Sequence, residues 1–394
     1  MARLLKTRRK LPKATRKMVL ECFYYSCALC MNPFTFPEIH HIQFVSLGGC
    51  NDPDNLLPLC ASCHSTLHNL SQVFSESTVR EIRRRAIEST KIKTLVLRRD
   101  LPKEELVRAL TNADIRFMVS TSGWYTHFAT LFEEALDYIN GQTNLTGKYG
   151  RDVNKALLLS LIGEIFLYSN IEGNIPKGMY LLNKAYNQLR RSSDFLDTTC
   201  YIGTVMSKGY ELARQRIKEK QILMDVGNLD MSDLDTRNLW LWRSMSHYVN
   251  VGKLDEAMEL RKYFQFGSET NFGKQVESNA LSIMAHMDIG YGHNIEDAIE
   301  KQKIGLKNAV DIFHKRGIYF RSFNLASLYL RKKDYAKAIG YLRLAGLLKD
   351  CGFIIKEWDA QRLYFKISNT IGTKEYSQLL HIEKIPNIGS ISDA

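Results

Sequence analysis

The sequence lacks any apolar run approaching the ~20 residues that a membrane span needs, and its first 20 residues contain no apolar stretch of the kind a secretory leader carries. These absences argue against a membrane-spanning helix and against a secreted framework of disulfides. The first 20 residues also contain no acid. Mitochondrial transit peptides share that composition, but the expectation adopted is a basic arm on a cytoplasmic protein. No Gly-x-x-x-x-Gly-Lys-Ser loop and no Gly-x-Gly-x-x-Gly turn occurs, so nothing points to a built-in ATPase or a dinucleotide site. Strand-like alternation is scarce beyond about residue 103, where apolar residues recur at three and four positions and predict helices.

What is present fits a soluble chain of two or three domains: 394 residues, 45% hydrophobic and 24% charged. The net charge of +12 is unevenly placed, with 16 Lys and Arg against 8 Asp and Glu in residues 1–100, and 38 against 34 in the remainder. A basic excess gathered at one end points to a polyanionic partner, nucleic acid above all. The phosphate-contact candidates are Arg8, Arg9, Lys10 and Lys13 in the arm, and Arg80, Arg83 and Arg84 in a helix expected over residues 75–99, capped by Ser75 or Ser77.

Six of the eight cysteines fall within the first 63 residues, and four of them form two Cys-x-x-Cys pairs, Cys27 with Cys30 and Cys60 with Cys63. Two such pairs supply four thiolates in the tetrahedron that a structural Zn²⁺ prefers. Cys22 and Cys50 are left over as ordinary core or surface residues. Four of the ten histidines (His40, His41, His64 and His68) lie in the same stretch. Residues 38–44 read as a short strand, in which His40 and His41 point to opposite faces. A helix expected from about Ala61 puts His64 and His68 on one face at i, i+4. One strand histidine and two helix histidines can thus meet around a divalent cation.

The later half contains an internal repeat. Leu254-Asp-Glu-Ala257-Met258, Ile295-Glu-Asp-Ala298-Ile299 and Tyr335-Ala-Lys-Ala338-Ile339 place their alanines 41 and 40 residues apart. A period of that size signals a helical solenoid. Leu325, Ala326, Tyr329, Ala338, Leu342 and Ala345 resemble the pattern of a tetratricopeptide repeat, with a looser copy from Gly163 to Ala185. Such an array presents a concave surface to a protein or peptide partner, or to a second copy of the chain.

The order His40-His41-Ile42, Gly48-Gly49, Asn55-Leu-Leu-Pro-Leu-Cys60-x-x-Cys63-His64 resembles the HNH endonuclease family over residues 22–70. The resemblance implies two strands and a helix around a metal. It implies His41 as general base, Asn55 as brace of the loop, and His64 as a catalytic residue and metal ligand. It also implies His40 and His68 as further ligands of a catalytic divalent metal such as Mg²⁺ or Mn²⁺. Gln43-Phe44 stand where the family often has Pro. The expected activity is metal-dependent hydrolysis of DNA phosphodiester bonds, with RNA left open as a substrate. The alternative is a zinc-dependent DNA-binding regulator that does not cut. A nuclease joined to a sensing domain would suit bacterial defence or a mobile element.

The expected architecture is therefore mainly α. A basic arm (1–20) precedes a ββα-metal HNH module with a four-cysteine zinc site (21–72). A basic helix and helical connector (73–149), a solenoid of tetratricopeptide type (150–380) and a tail (381–394) follow.

Overall fold

A computed structural model describes residues 11–30, 36–69, 71, 73–97, 150–168, 173–349, 363, 367–370 and 372. Arg8, Arg9 and Lys10, most of the connector, and the tail lie outside the described residues. The chain is mainly helical and divides into two compact units, residues 1–94 with 334–394, and residues 95–333. Among the described residues, no helix is long and apolar enough to cross a membrane.

In the first unit, α1 (Lys13–Cys22) leads to an antiparallel pair, β1 (Glu38–His41) and β2 (Leu56–Leu59), followed by α2 (Ala61–Asn69) and α3 (Glu76–Leu97). The expected arm is corrected over its second half. Residues 13–22 are helical because Val19 and Leu20 close the segment with an apolar edge, which is buried along with Phe23. The helix packs on β2, so the module begins before residue 21. Every residue of β2 is buried, and Leu56, Leu57 and Leu59 have no exposure. This continuous apolar run reads as a strand covered on both faces.

Strand β1 ends at His41, short of the expected Phe44. There the chain leaves the ladder for a 3-10 turn at Val45–Leu47, and Gly48 follows at φ 93°. That left-handed backbone favours glycine. Gly49 is needed for space, since a Cβ there would stand 1.9 Å from the Gln43 carbonyl oxygen. Helix α2 starts at the expected Ala61. The cap of α3 is Ser75, whose Oγ accepts from the Thr78 amide at 3.2 Å.

The second unit is a series of helices: α4 (Gly150–Tyr168), α5 (Asn174–Leu189), α6 (Leu196–Leu212), α7 (Arg216–Gly227), α8 (Leu234–Asn250), α9 (Leu254–Arg261), α10 (Asn271–Gly290), α11 (Ile295–Asp311) and α12 (Lys315–Arg331). Each packs on its successor, and α4, α6, α8, α10 and α12 also touch in turn. The repeat seen in the sequence marks helix starts. Its copies open α9, α11 and α13 (Tyr335–Lys349), and Ala257, Ala298 and Ala338 are all fully buried. A residue with positive φ precedes each of these helices: Gly252 at 77°, Gly292 at 73° and Lys333 at 62°. The looser copy begins where α4 and α5 approach closely, for a Cβ on Gly178 would lie 2.7 Å from the Gly163 carbonyl oxygen. The block expected over 150–380 is interrupted at residue 333, and α13 is grouped with the first unit.

Candidate metal and nuclease site

Among the described residues, two clusters of side chains that could ligate a metal lie in the first unit. In one, a ligand atom of each of Cys27, Cys30, Cys60 and Cys63 lies within 4.8 Å of the others. Cys30 Sγ and Cys60 Sγ are 3.9 Å apart. A disulfide would need about 2 Å, whereas a zinc tetrahedron with ~2.3 Å bonds has edges of about 3.8 Å. Cys27 and Cys63 are buried, and Cys30 and Cys60 are partly exposed. Hydrogen bonds from Cys30 and then Cys63 hold the Cys27 thiol down at about 2, against the effect of burial. A sulfur so disposed to the thiolate form fits a metal ligand, and the set is compatible with a structural zinc. Cys22 and Cys50 are exposed and stand outside the cluster.

The second cluster joins β1 to α2. His40, His64 and His68 each offer a ring nitrogen within 4.8 Å of the others. His64 Nε2 and His68 Nε2 face each other at 3.2 Å, which is the i, i+4 arrangement expected from the sequence. His40 is buried, and burial, then the nearby His64, His68 and His41, depress its pKa to about 3. His68 is lowered too, by burial and by His64, with Glu38 opposing. Neutral imidazole is the form that binds metal, so the donor set fits a divalent cation.

Two residues to which the sequence assigns no role complete this cluster. Glu38 Oε2 lies 2.5 Å from His64 Nδ1, which fixes the ring and leaves Nε2 for a ligand. Phe44 stacks on His68 with ring centroids 5.8 Å apart and meets His40 edge-on at 5.7 Å. Glu38 was detectable in principle, because it stands two residues before His40 and shares its strand face. Phe44 gave no comparable signal.

His41 stands next in β1, outside the three-nitrogen cluster. Its Nε2 lies 3.0 Å from Asn51 Oδ1. An amide oxygen only accepts, so Nε2 is the donor in this contact, an arrangement that suits the tautomer with the free lone pair on Nδ1. Asn55 is buried and spans the loop between the strands. Its Oδ1 accepts from the Gln43 amide at 2.8 Å, and its Nδ2 donates to the carbonyls of Gln43 at 3.1 Å and Cys50 at 3.0 Å. This side chain thereby sets the loop that presents Asn51 to His41.

The basic candidates are less free than their spacing suggests. Lys13 is exposed at the start of α1. Arg80 pairs with Glu76 at 2.7 Å, and Arg84 with Glu81 at 2.8 Å. Arg83, expected as a phosphate contact, serves as an internal brace in this structure. It is only 17% exposed, pairs with Asp54 at 2.9 Å and donates to the carbonyls of Pro53 and Leu56.

No curated protein matches the chain. Against protein-family models, residues 27–70, which hold both clusters, Asn51 and Asn55, match the HNH endonuclease model.

Proposed function

We propose that the first unit is a metal-dependent endonuclease that hydrolyses DNA phosphodiester bonds, and that the helical second unit, read as a solenoid of tetratricopeptide type, directs or restrains it through a protein or peptide partner or self-association. The observation that carries the nuclease reading is the convergence of His40, His64 and His68, with His41 beside them in β1, inside the segment that matches the HNH endonuclease model.

His40, His64 and His68 would hold the divalent metal, Mg²⁺ or Mn²⁺, and Glu38 would orient His64. The bound metal supplies charge stabilisation to a phosphodiester and its departing oxygen. His41 acts as general base: Asn51 holds Nε2–H, so Nδ1 is the atom that accepts a proton from water. Asn55 acts at one remove by keeping the 42–51 loop closed over that pair. The four cysteines would hold a structural Zn²⁺ and so tie down the start of α2. Lys13, Arg80 and Arg84 are the phosphate contacts among the described residues, the last two after release from Glu76 and Glu81.

The test is cleavage of supercoiled plasmid by the full chain with Mg²⁺ or Mn²⁺, beside His41→Ala. Cleavage by the wild type that stops with EDTA and is lost in the variant supports the reading. Equal cleavage by both proteins refutes His41 as the base. Binding of DNA without cleavage by either protein favours the non-cutting regulator.

A further inference from the structure

The second unit contains a cavity of about 220 Å³. Apart from His314, every residue that lines it comes from one of the alternate helices α4, α6, α8, α10 and α12. Four cations face it (Lys208, Arg243, Arg316 and Arg321), against one carboxylate, Glu164.

Lys208 and Arg243 pair with Glu211 at 2.9 and 2.8 Å, and Arg243 also approaches Glu219 at 3.6 Å. Glu164 accepts from the Tyr201 hydroxyl at 2.8 Å. Arg321 differs from them. It is 6% exposed, Nη2 donates to Asn279 Oδ1 at 3.1 Å, and Nε and Nη1 have no hydrogen-bond partner. A buried guanidinium without a counter-charge is costly unless something else supplies the charge. Gln275 Oε1, on the same wall, is also buried without a partner. The positive field is shared across the cavity: burial lowers the Lys208 pKa, and Arg243 and Arg316 lower it further, with Glu211 opposing.

The rest of the lining mixes aliphatic side chains (Val205, Leu239 and Val276) with aromatic ones. Trp242, Phe272 and Phe320 keep part of their surface open. Flat apolar walls beside an unpaired planar fork suit a ligand with a ring at one end and an oxyanion at the other.

We propose that this cavity binds a small organic anion, a phosphate or carboxylate carried on a planar ring, with the oxyanion on Arg321 Nε and Nη1 and the ring among Trp242, Phe272 and Phe320. Gln275 Oε1 takes a ring N–H or a hydroxyl of the same ligand. The chemistry is shared by nucleoside monophosphates and by aromatic carboxylates, and two arms of the test separate them. The site lies within the second unit and does not depend on nuclease activity.

The measurement is isothermal titration calorimetry on the full chain, with wild type beside Arg321→Met and Gln275→Leu. The four ribonucleoside monophosphates form one arm, and indole-3-acetate and benzoate the other. Adenosine and inorganic phosphate serve as the ring-only and anion-only controls. Binding in either arm, tighter than both controls and weakened roughly 10- to 100-fold by Arg321→Met, supports the proposal and identifies the ligand class. A smaller loss in Gln275→Leu is expected. The melting temperature of the ligand-free Arg321→Met protein checks that it is folded, and it should not fall appreciably, because the substitution removes a buried charge that no carboxylate balances, at the cost of one hydrogen bond to Asn279. Absence of binding in both arms overturns the proposal, as does binding that Arg321→Met leaves unchanged.

Discussion

Replacement of Asn55 by alanine tests how the loop over His41 is held. The side chain is 5% exposed and makes three hydrogen bonds, one from the Gln43 amide and two to the carbonyls of Gln43 and Cys50. Each contributes a net ~1 kcal/mol, and more where its partner stays buried and unpaired. Asn55→Ala should therefore lower the free energy of opening the 42–51 loop by about 3 kcal/mol. At about 1.4 kcal/mol per tenfold change, that is a roughly 100-fold rise in hydrogen exchange at the Gln43 amide. Exchange read by mass spectrometry on a peptide spanning the loop of the full chain measures it. Asn55→Asp sharpens the test. It keeps the acceptor for the Gln43 amide but turns a carboxylate oxygen toward two carbonyls, so its loop should open at least as readily as that of the alanine variant. Unchanged protection in both variants would refute the claim that this side chain holds the loop closed.

Further outcomes follow from the same geometry. Glu38→Gln removes the carboxylate beside His64 and should weaken divalent-metal affinity or cleavage by about 10- to 100-fold, read by metal titration with the zinc site filled. Cys60→Ser should reduce the zinc content of the purified chain and lower the melting temperature of the first unit, measured by metal analysis and calorimetry. Gly49→Ala should destabilise the module far more than Gly48→Ala, since the first forces a Cβ against the Gln43 carbonyl while the second only strains a left-handed backbone in open space; urea midpoints distinguish them. The pKa of His40 is lowered in the folded state, from 6.5 to about 3. The unfolded chain therefore binds more protons between these values, and stability should fall as the pH drops below about 6.5. Between pH 6.5 and 5, the melting temperature of wild type without divalent metal should fall more steeply than that of His40→Gln.

Features governed by local periodicity were legible in the sequence. The i, i+4 spacing puts His64 and His68 on one face of α2, the paired Cys-x-x-Cys motifs converge, and the recurring alanines mark the starts of α9, α11 and α13. What escaped depends on closure between distant segments. Asn51 reaches His41 only after Asn55 has folded the loop. Glu38 reaches His64 only after β1 has met α2. Arg83 reads as part of a charged surface because its partners, at residues 53, 54 and 56, belong to another element. The cavity was equally hidden, since Glu164, Arg243, Asn279 and Arg321 come from four different helices. Residues 13–20 read as an arm because their three charges are all basic and continue the basic run before them, although the apolar Val19 and Leu20 determine the packing.

Helix α2 has only nine residues, about 13 Å of axis, too short to persist alone. Its neighbours Cys63 and His64 belong to different clusters, so it is a common axle for thiol chemistry and imidazole chemistry. Within the four-cysteine cluster, Cys30 and Cys60 are the partly exposed residues. An oxidant or electrophile that captures either would loosen the end of the axle and dislodge His64 and His68 without touching a histidine. A change in the chemistry of these thiols would therefore be felt at the histidine cluster, one to two turns further along the same helix.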